Sequence, residues 1–403
     1  MLQHPFTILT SCFVLVNLST LINLQKCAEH IRWVRMRKTS IIALLLIVGI
    51  LTPSVSFGAQ FSYGAWIPYW KKTAAIPETI QHIDTLKEIS PFAYEVNTNG
   101  TIHDAMKLKD VSWLTLMETA GSKGIKVVPS FSWQDGNAIH RVLSSSAARA
   151  GHMKNVLQLV DENDFDGIDI DYEGKKAETN TYFSKFLTEL SKAMHARKKT
   201  LSCTIEARTP VGSRFVTIPK KLEYANDFGV INKVCDEVRI MAYEQGRIDL
   251  KLNKKKSVSG AYYFPVSDTE WVDKVIVEAV KTISKNKLML AIGNFGYEYD
   301  VINNNGVVSY NDVQSLTFNE AKALASSTGA AFVRNNAGEL GFTYTTSTNV
   351  GTSTLISTRF VTLSDAKAIR AKIALAKKYK LKGIFLFKID GESDPALWDA
   401  FGR

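Results

Sequence analysis

Phe165-Asp166-Gly167-Ile168-Asp169-Ile170-Asp171-Tyr172-Glu173 places carboxylates at alternate positions of an apolar, β-prone run. Side chains two apart on a strand point to one face. The run therefore predicts a strand with Asp169, Asp171 and Glu173 together and Ile168, Ile170 and Tyr172 opposite. At a rise of about 3.3 Å per residue, successive carboxylates stand about 6.6 Å apart at Cα. Three like charges on one face are costly unless one holds a proton and the others find donors. One protonated acid beside one ionised carboxylate is what cleavage of a glycosidic bond requires. The plainer alternative is an acidic edge strand or a cation site, but a hard-cation loop calls for turn residues rather than alternating isoleucines.

Strand-like segments recur on both sides of this run, giving 62–68, 90–96, 125–131, 165–171, 200–206, 237–243, 287–293 and 382–388. Amphipathic runs separate them, among them Val111–Ser122, Ala147–Asp161, Tyr182–Ala196, Trp271–Ser284 and Asp365–Lys380. Strands alternating with helices predict the α/β class and a parallel sheet. Eight such units predict a (β/α)8 TIM barrel, which needs about 250 residues plus insertions. One interval is too long for a single connection. From Tyr297 to Thr362 the chain carries its own helix (Thr317–Ser327) and short strands (Ala331–Arg334, Gly341–Thr345), predicting an α+β insertion at 297–362 after strand seven. Asn303-Asn304-Asn305-Gly306 and Asn335-Asn336-Ala337-Gly338 read as turns. Thr345–Ser357, rich in Thr and Ser, reads as a mobile loop.

The acidic run resembles the Asp-x-x-Asp-x-Asp-x-Glu signature of glycoside hydrolase family 18, with Asp166, Asp169, Asp171 and Glu173 in its four acidic positions. Other stretches resemble the family's landmarks in order. Ser90-Pro91-Phe92-Ala93-Tyr94 with Asn99-Gly100-Thr101-Ile102 looks like the second strand and its turn, and Lys126–Phe131 like the third. Arg239-Ile240-Met241-Ala242-Tyr243-Glu244 is similar to the sixth-strand Met-x-Tyr-Asp motif, with Glu244 replacing the aspartate. Leu288–Gly293 with Phe295-Gly296-Tyr297 looks like the seventh strand. Gly383–Phe387 with Asp394-Pro395 and Trp398 looks like the eighth. The resemblance spans residues 62 to 402. Tyr243-Glu244-Gln245-Gly246 resembles the branch that trims bacterial spore-cortex wall.

The resemblance implies a retaining glycosidase acting on β-1,4-linked N-acetylglucosamine, in which the substrate's own acetamido oxygen is the nucleophile. It makes Glu173 the general acid and later the base. Asp171 would orient the acetamido N–H, Asp169 would share a proton or hydrogen bond with Asp171, and Tyr243 would donate to the acetamido oxygen. Ser130 matches a serine supporting the buried aspartate, although a packing serine is the alternative. Trp66, Trp70 and Trp133 near strand ends are candidates for stacking on sugar rings, and Met241 and Glu244 for substrate contact. The family usually carries Trp where Phe387 stands, as the floor beneath the reacting sugar. Phe keeps a flat surface but loses area and the indole N–H. No metal or cofactor is implied, and the partner is an N-acetylglucosamine polysaccharide met by a monomer. A catalytically silent sugar-binding barrel is the competing function; such relatives usually lose the terminal Glu, which is present here as Glu173. An N-glycan-cleaving endoglycosidase typically lacks the insertion. Arg239 alternates in phase with Met241 and Tyr243, so it should face the barrel and need a carboxylate, with Glu206 the candidate.

The formal charge is +10. Residues 1–59 hold five Lys/Arg against one Glu, or +4, which leaves +6 for the remainder. The excess is spread out, and nucleic-acid binding would need it concentrated on one face. Lys254-Lys255-Lys256 reads as a solvated loop, with attraction to an anionic wall as the alternative. Arg37-Lys38 precede an uncharged run from Thr39 through Phe57, then small residues at Gly58-Ala59, as in a signal peptide. Translation beginning at Met36 would make residues 1–35 an upstream extension. A second uncharged stretch, Pro5 to Leu24, keeps a membrane anchor open. Residues 1–59 are set apart from the catalytic barrel at 60–403, and the expected location is secreted or in the cell envelope. Of four cysteines, Cys203 and Cys235 fall within the barrel, as either a disulfide or two buried thiols. No cysteine–histidine spacing suggests zinc.

Overall fold

The computed structural model describes residues 61–402, apart from 216, 258–260, 306, 351 and 352. The expectations for residues 1–59, including the signal peptide and the anchor, lie outside the described residues.

Eight parallel strands close on themselves. In chain order they are Ser62–Pro68, Glu88–Val96, Ser130–Trp133, Gly167–Tyr172, Thr200–Glu206, Glu237–Met241, Leu288–Gly293 and Gly383–Phe387, here called strands one to eight. Each pairs with its neighbours in sequence, and strand one closes the ring against strands two and eight. The fold is the expected (β/α)8 barrel. Strand three is shorter than the predicted 125–131. A two-residue piece, Lys126–Val127, pairs low on strand two, and pairing resumes only at Ser130. Pro129 lies in the gap and has no N–H to give the ladder.

The helices pack their apolar stripes against the outside of this ring. Val111–Ser122 buries Trp113, Leu116 and Ala120 at helical spacing and is capped by the Asp110 side chain, which accepts from the Ser112 N–H at 3.0 Å. Asn180–Ala196 buries Phe183, Phe186, Leu187, Leu190 and Met194 against strands four and five. Cys203 on strand five and Cys235 just before strand six form a disulfide with Cα atoms 6.1 Å apart. This decides the alternative left open by the sequence. Register puts Cys203 beside Val238, so the bridge closes on the buried outer face.

The segment after strand seven builds a separate five-stranded antiparallel sheet. Its strands are Gly296–Asn304, Val307–Leu316, Val333–Arg334, Leu340–Val350 and Ser353–Leu363. A helix, Phe318–Thr328, opens on a capping box between Thr317 and Glu320. The expectation of a mobile loop at Thr345–Ser357 is corrected: most of that stretch is paired hairpin, with Thr345 opposite Thr358 and Thr348 opposite Leu355. Threonine is β-branched and favours the extended backbone, so a Thr-rich run is strand-prone even when polar. Glu339 ties the sheet to the barrel. Its buried carboxylate accepts from the Val266 and Ser267 N–H groups at 3.0 and 2.7 Å and faces the Lys372 ammonium at 3.6 Å.

Candidate active site

Register across the parallel strands decides which side chains share the barrel interior. Ser130 pairs with Asp169, Asp169 with Ser202, Thr204 with Arg239, and Arg239 with Met289. These form a low layer of polar groups. Asp169 is fully buried and accepts from Ser130 Oγ at 2.8 Å and from Thr204 Oγ1 at 3.0 Å. Its Oδ2 also lies 3.2 Å from the Arg239 guanidinium. Arg239 donates further to Ser90 Oγ at 3.0 Å, Glu237 at 3.0 Å and Glu88, and lies 3.6 Å over the Phe385 ring. Gly64 makes room for that ring, since a Cβ there would stand 2.4 Å from it. Opposite charges favour the ionised form, so these carboxylates hold the Arg239 proton above the usual guanidinium range against the effect of burial.

The expected partner of Arg239 was Glu206, and this is corrected. Glu206 pairs in register with Met241, two residues further up the sheet than Arg239. It meets the Lys175 ammonium instead, at 3.2 Å.

Asp171 and Glu173 rise above this layer toward the C-terminal ends of the strands, where barrel enzymes hold their reacting groups. Asp171 is buried, and among the described residues no donor meets its Oδ1. Burial, then the charges of Glu173 and Asp169, hold its carboxyl well above the usual range. Glu173 is partly buried and accepts from Gln134 Nε2 at 3.2 Å. Burial raises its carboxyl too, with Glu206 and Glu244 adding to the effect while Gln134 and Lys175 oppose it. Like charges this close oppose ionisation of both groups at once. The strand turns away just after Glu173 at Gly174, whose φ of +63° suits glycine.

Tyr243 faces the same region. Burial first, then Asp171 and Glu173, push its phenol well above the usual range, so it remains a hydroxyl able to donate. Its ring stacks on Phe387 at 5.6 Å and 23°, and Phe387 meets Trp66, Phe92 and Phe295 edge-on. Trp66, Met289, Ala291 and Phe385 fill the barrel beneath.

The remaining candidates divide. Trp66 is 1% exposed and donates its indole N–H to Ser130 at 3.0 Å, so it supports the floor rather than lying open. Trp70 is 49% exposed at the rim, edge-on to Phe92 at 5.6 Å. Met241 points inward beside Ala291. Glu244 accepts from the Tyr297 hydroxyl at 2.7 Å. Trp133 does not join the site. Ser130 and Ser132 take the inward phase of strand three, so Trp133 points outward and packs on His152 and Tyr172. Thr204, Gln134, Lys175 and Ser90 escaped the sequence reading. Thr204 had a signal, because it alternates in phase with Ser202 and Glu206 on a strand beside the acidic one. Lys175 had none, since its place depends on the turn at Gly174.

Comparison with known proteins gives the family and the fold. The family description "Glycosyl hydrolases family 18" matches residues 65–392. A Bacillus subtilis protein described as the uncharacterized glycosylase YvbX is 23% identical over 379 residues, covering 91% of this chain and 99% of its own. The crystal structure of the Bacillus cereus spore cortex-lytic enzyme SleL superposes with a TM-score of 0.64 at 18% identity, covering 85% of this chain and 73% of that one. A Chromobacterium violaceum chitinase gives 0.63 at 19% identity, covering 85% and 98%. At such identities the solved structures establish the fold alone, while the family match runs through every strand and both acidic positions of the candidate pair. The chain belongs to the glycosyl hydrolases of family 18.

Proposed function

We propose that this glycoside hydrolase cleaves β-1,4-linked N-acetylglucosamine polymers, of the chitin type or from peptidoglycan, with retention of configuration and with the substrate's acetamido group as nucleophile. The observation that carries the reading is the placement of Asp171 and Glu173, two carboxyls both held above their usual range, beside the Tyr243–Phe387 stack. Glu173 passes its proton to the leaving glycosidic oxygen as the bond to C1 breaks. The acetamido oxygen closes on C1 to give an oxazolinium ion. Asp171 accepts the acetamido N–H and offsets the positive charge, and the Tyr243 hydroxyl donates to the acetamido oxygen. Glu173, now a carboxylate, takes a proton from water as the water attacks C1 and reopens the ring. Phe387 offers the apolar surface beneath that sugar.

Relatives named as a chitinase and as a spore cortex-lytic enzyme favour a polymer of this class. Digestion of chitin oligosaccharides and purified peptidoglycan in parallel, with mass analysis, identifies which is cut. Early-time NMR of the new reducing ends tests the mechanism. The β anomer is expected first; α first means a single inverting attack by water, and the roles given to Asp171 and Tyr243 are then wrong.

We also propose export through residues 36–59. Protein expressed from Met36 should appear outside the cell and begin near Gly58–Ala59 on N-terminal sequencing. If the full chain expressed from Met1 instead yields mature protein that retains Pro5–Leu24 in the membrane, this is contradicted and the enzyme is an anchored one.

A further inference from the structure

Lys175 is two residues beyond Glu173 and does not point to solvent. The left-handed turn at Gly174 folds the chain back, and its side chain is fully enclosed, with 0% exposed. The ammonium meets both oxygens of Glu206 at 3.2 and 3.3 Å, contacts the Tyr172 carbonyl, and lies 4.9 Å over the Phe183 ring. Burying an ammonium is costly unless it is paired and hydrogen-bonded, and this one is both. Glu206 in turn accepts from Asn226 Nδ2, and its side chain keeps 38% of its surface open. The result is an ion pair with a buried cation and a partly open carboxylate, bridging the ends of strands four and five against the segment that carries Asp171 and Glu173.

We propose that Lys175 is a positioning residue of the hydrolytic site, which cancels the charge of Glu206 and holds the Tyr172 carbonyl so that Glu173 keeps the acidity its proton transfer needs. The inference rests on the role given to Glu173 above. Three carboxylates, Asp171, Glu173 and Glu206, crowd the ends of strands four and five, and Glu244 faces them from just beyond strand six together with the neutral Tyr243 hydroxyl. Asp169 lies below, held by Arg239. Among the described residues Lys175 is the cation paired with Glu206, while Arg208 and Arg247 act on Glu206 and Glu244 through charge alone. Without it, Glu206 adds an uncompensated negative charge beside Glu173, which then holds its proton more tightly and releases it to the leaving oxygen less readily. Without Glu206 instead, Lys175 is the unopposed charge and Glu173 loses its proton sooner.

The sign pattern separates this role from plain scaffolding. The test is the pH profile of kcat/KM on a chitin oligosaccharide for the wild type, Lys175→Met, Glu206→Gln and the double variant. Lys175→Met should move the alkaline limb upward by about one pH unit, and Glu206→Gln should move it downward by a similar amount. The double variant should return to within a few tenths of the wild type. Glu206→Gln keeps the side chain's shape, so its shift is readable even where Lys175→Met folds poorly. Limbs that stay in place, or that move the same way in both single variants, overturn the proposal. Those outcomes leave the assignment of Glu173 intact, whereas a Glu173→Gln variant of undiminished activity would remove the reading beneath it.

Discussion

The Arg239 guanidinium stands 3.2 Å from Asp169 Oδ2 in the middle of the barrel, with neither side chain exposed to solvent. One cation there answers three carboxylates: Asp169 above it, and Glu88 and Glu237 at the lower end. Lys382 supplies a second positive charge to Glu237 at 2.7 Å. Asp169 accepts from Ser130, Thr204 and Arg239, and so fixes the strand that carries Asp171 and leads into Glu173.

Removing the cation should therefore unfold more than it repairs. Arg239→Met leaves three buried carboxylates facing one another, a change that costs about 3–5 kcal/mol when one partner of a buried ionic group is lost. The urea midpoint should fall accordingly. A midpoint equal to that of the wild type would show that the interior charges have another source of compensation.

Glu173→Gln preserves shape and its contact with Gln134 but has no proton to deliver. Hydrolysis should drop by about 10²-fold or more, while oligosaccharide binding measured by calorimetry persists. Turnover near the wild-type rate would take Glu173 out of its role.

The Phe387 floor predicts a gain as well as a loss. Phe387→Ala should weaken binding of a thiazoline mimic of the oxazolinium ion, because it removes the ring that stacks on Tyr243 at 5.6 Å. Phe387→Trp should tighten it by several-fold, since the larger ring adds apolar contact of about 25 cal/mol per Å². Inhibition constants for the three proteins decide the point. Equal constants would place the reacting sugar elsewhere.

His152 makes stability depend on acid. Its Nδ1 lies 2.7 Å from the Gly100 carbonyl, which can only accept, so Nδ1 carries the proton and Nε2 accepts from the Tyr172 hydroxyl at 2.6 Å. Burial lowers the imidazole from 6.5 to about 4. The unfolded chain binds a proton near 6.5 that the folded one refuses until about 4. Stability from this group is thus fully present above pH 6.5 and is lost as pH falls to about 4, by roughly 3 kcal/mol. Denaturation between pH 7 and 4 should show a steeper loss for the wild type than for His152→Gln; parallel curves would mean that the ring is protonated in place.

Opening the Cys203–Cys235 bridge should cost about 3–4 kcal/mol, from the chain entropy of a loop spanning 32 residues. Thermal melts of a Cys203→Ala/Cys235→Ala double variant test this. An unchanged melt would show that strand pairing alone confines the unfolded chain there.

The alternation of acids and isoleucines from Ile168 to Glu173 determined by itself that this segment is a strand with Asp169, Asp171 and Glu173 on one face, because the two-residue period of an extended chain leaves no other choice. The repeated strand-and-helix rhythm in turn determined a parallel barrel, and the break in that rhythm located the second sheet. Which inward side chains meet was decided by the relative register of different strands, a quantity no single segment contains. That register sent Arg239 to Asp169 and Glu88 rather than to Glu206. It turned Trp133 outward against His152, and joined Cys203 to Cys235. The turn at Gly174 did the same for Lys175. Local periodicity orients a side chain to a face, but only the closed ring fixes its height within the barrel, and height selects each charge's neighbours.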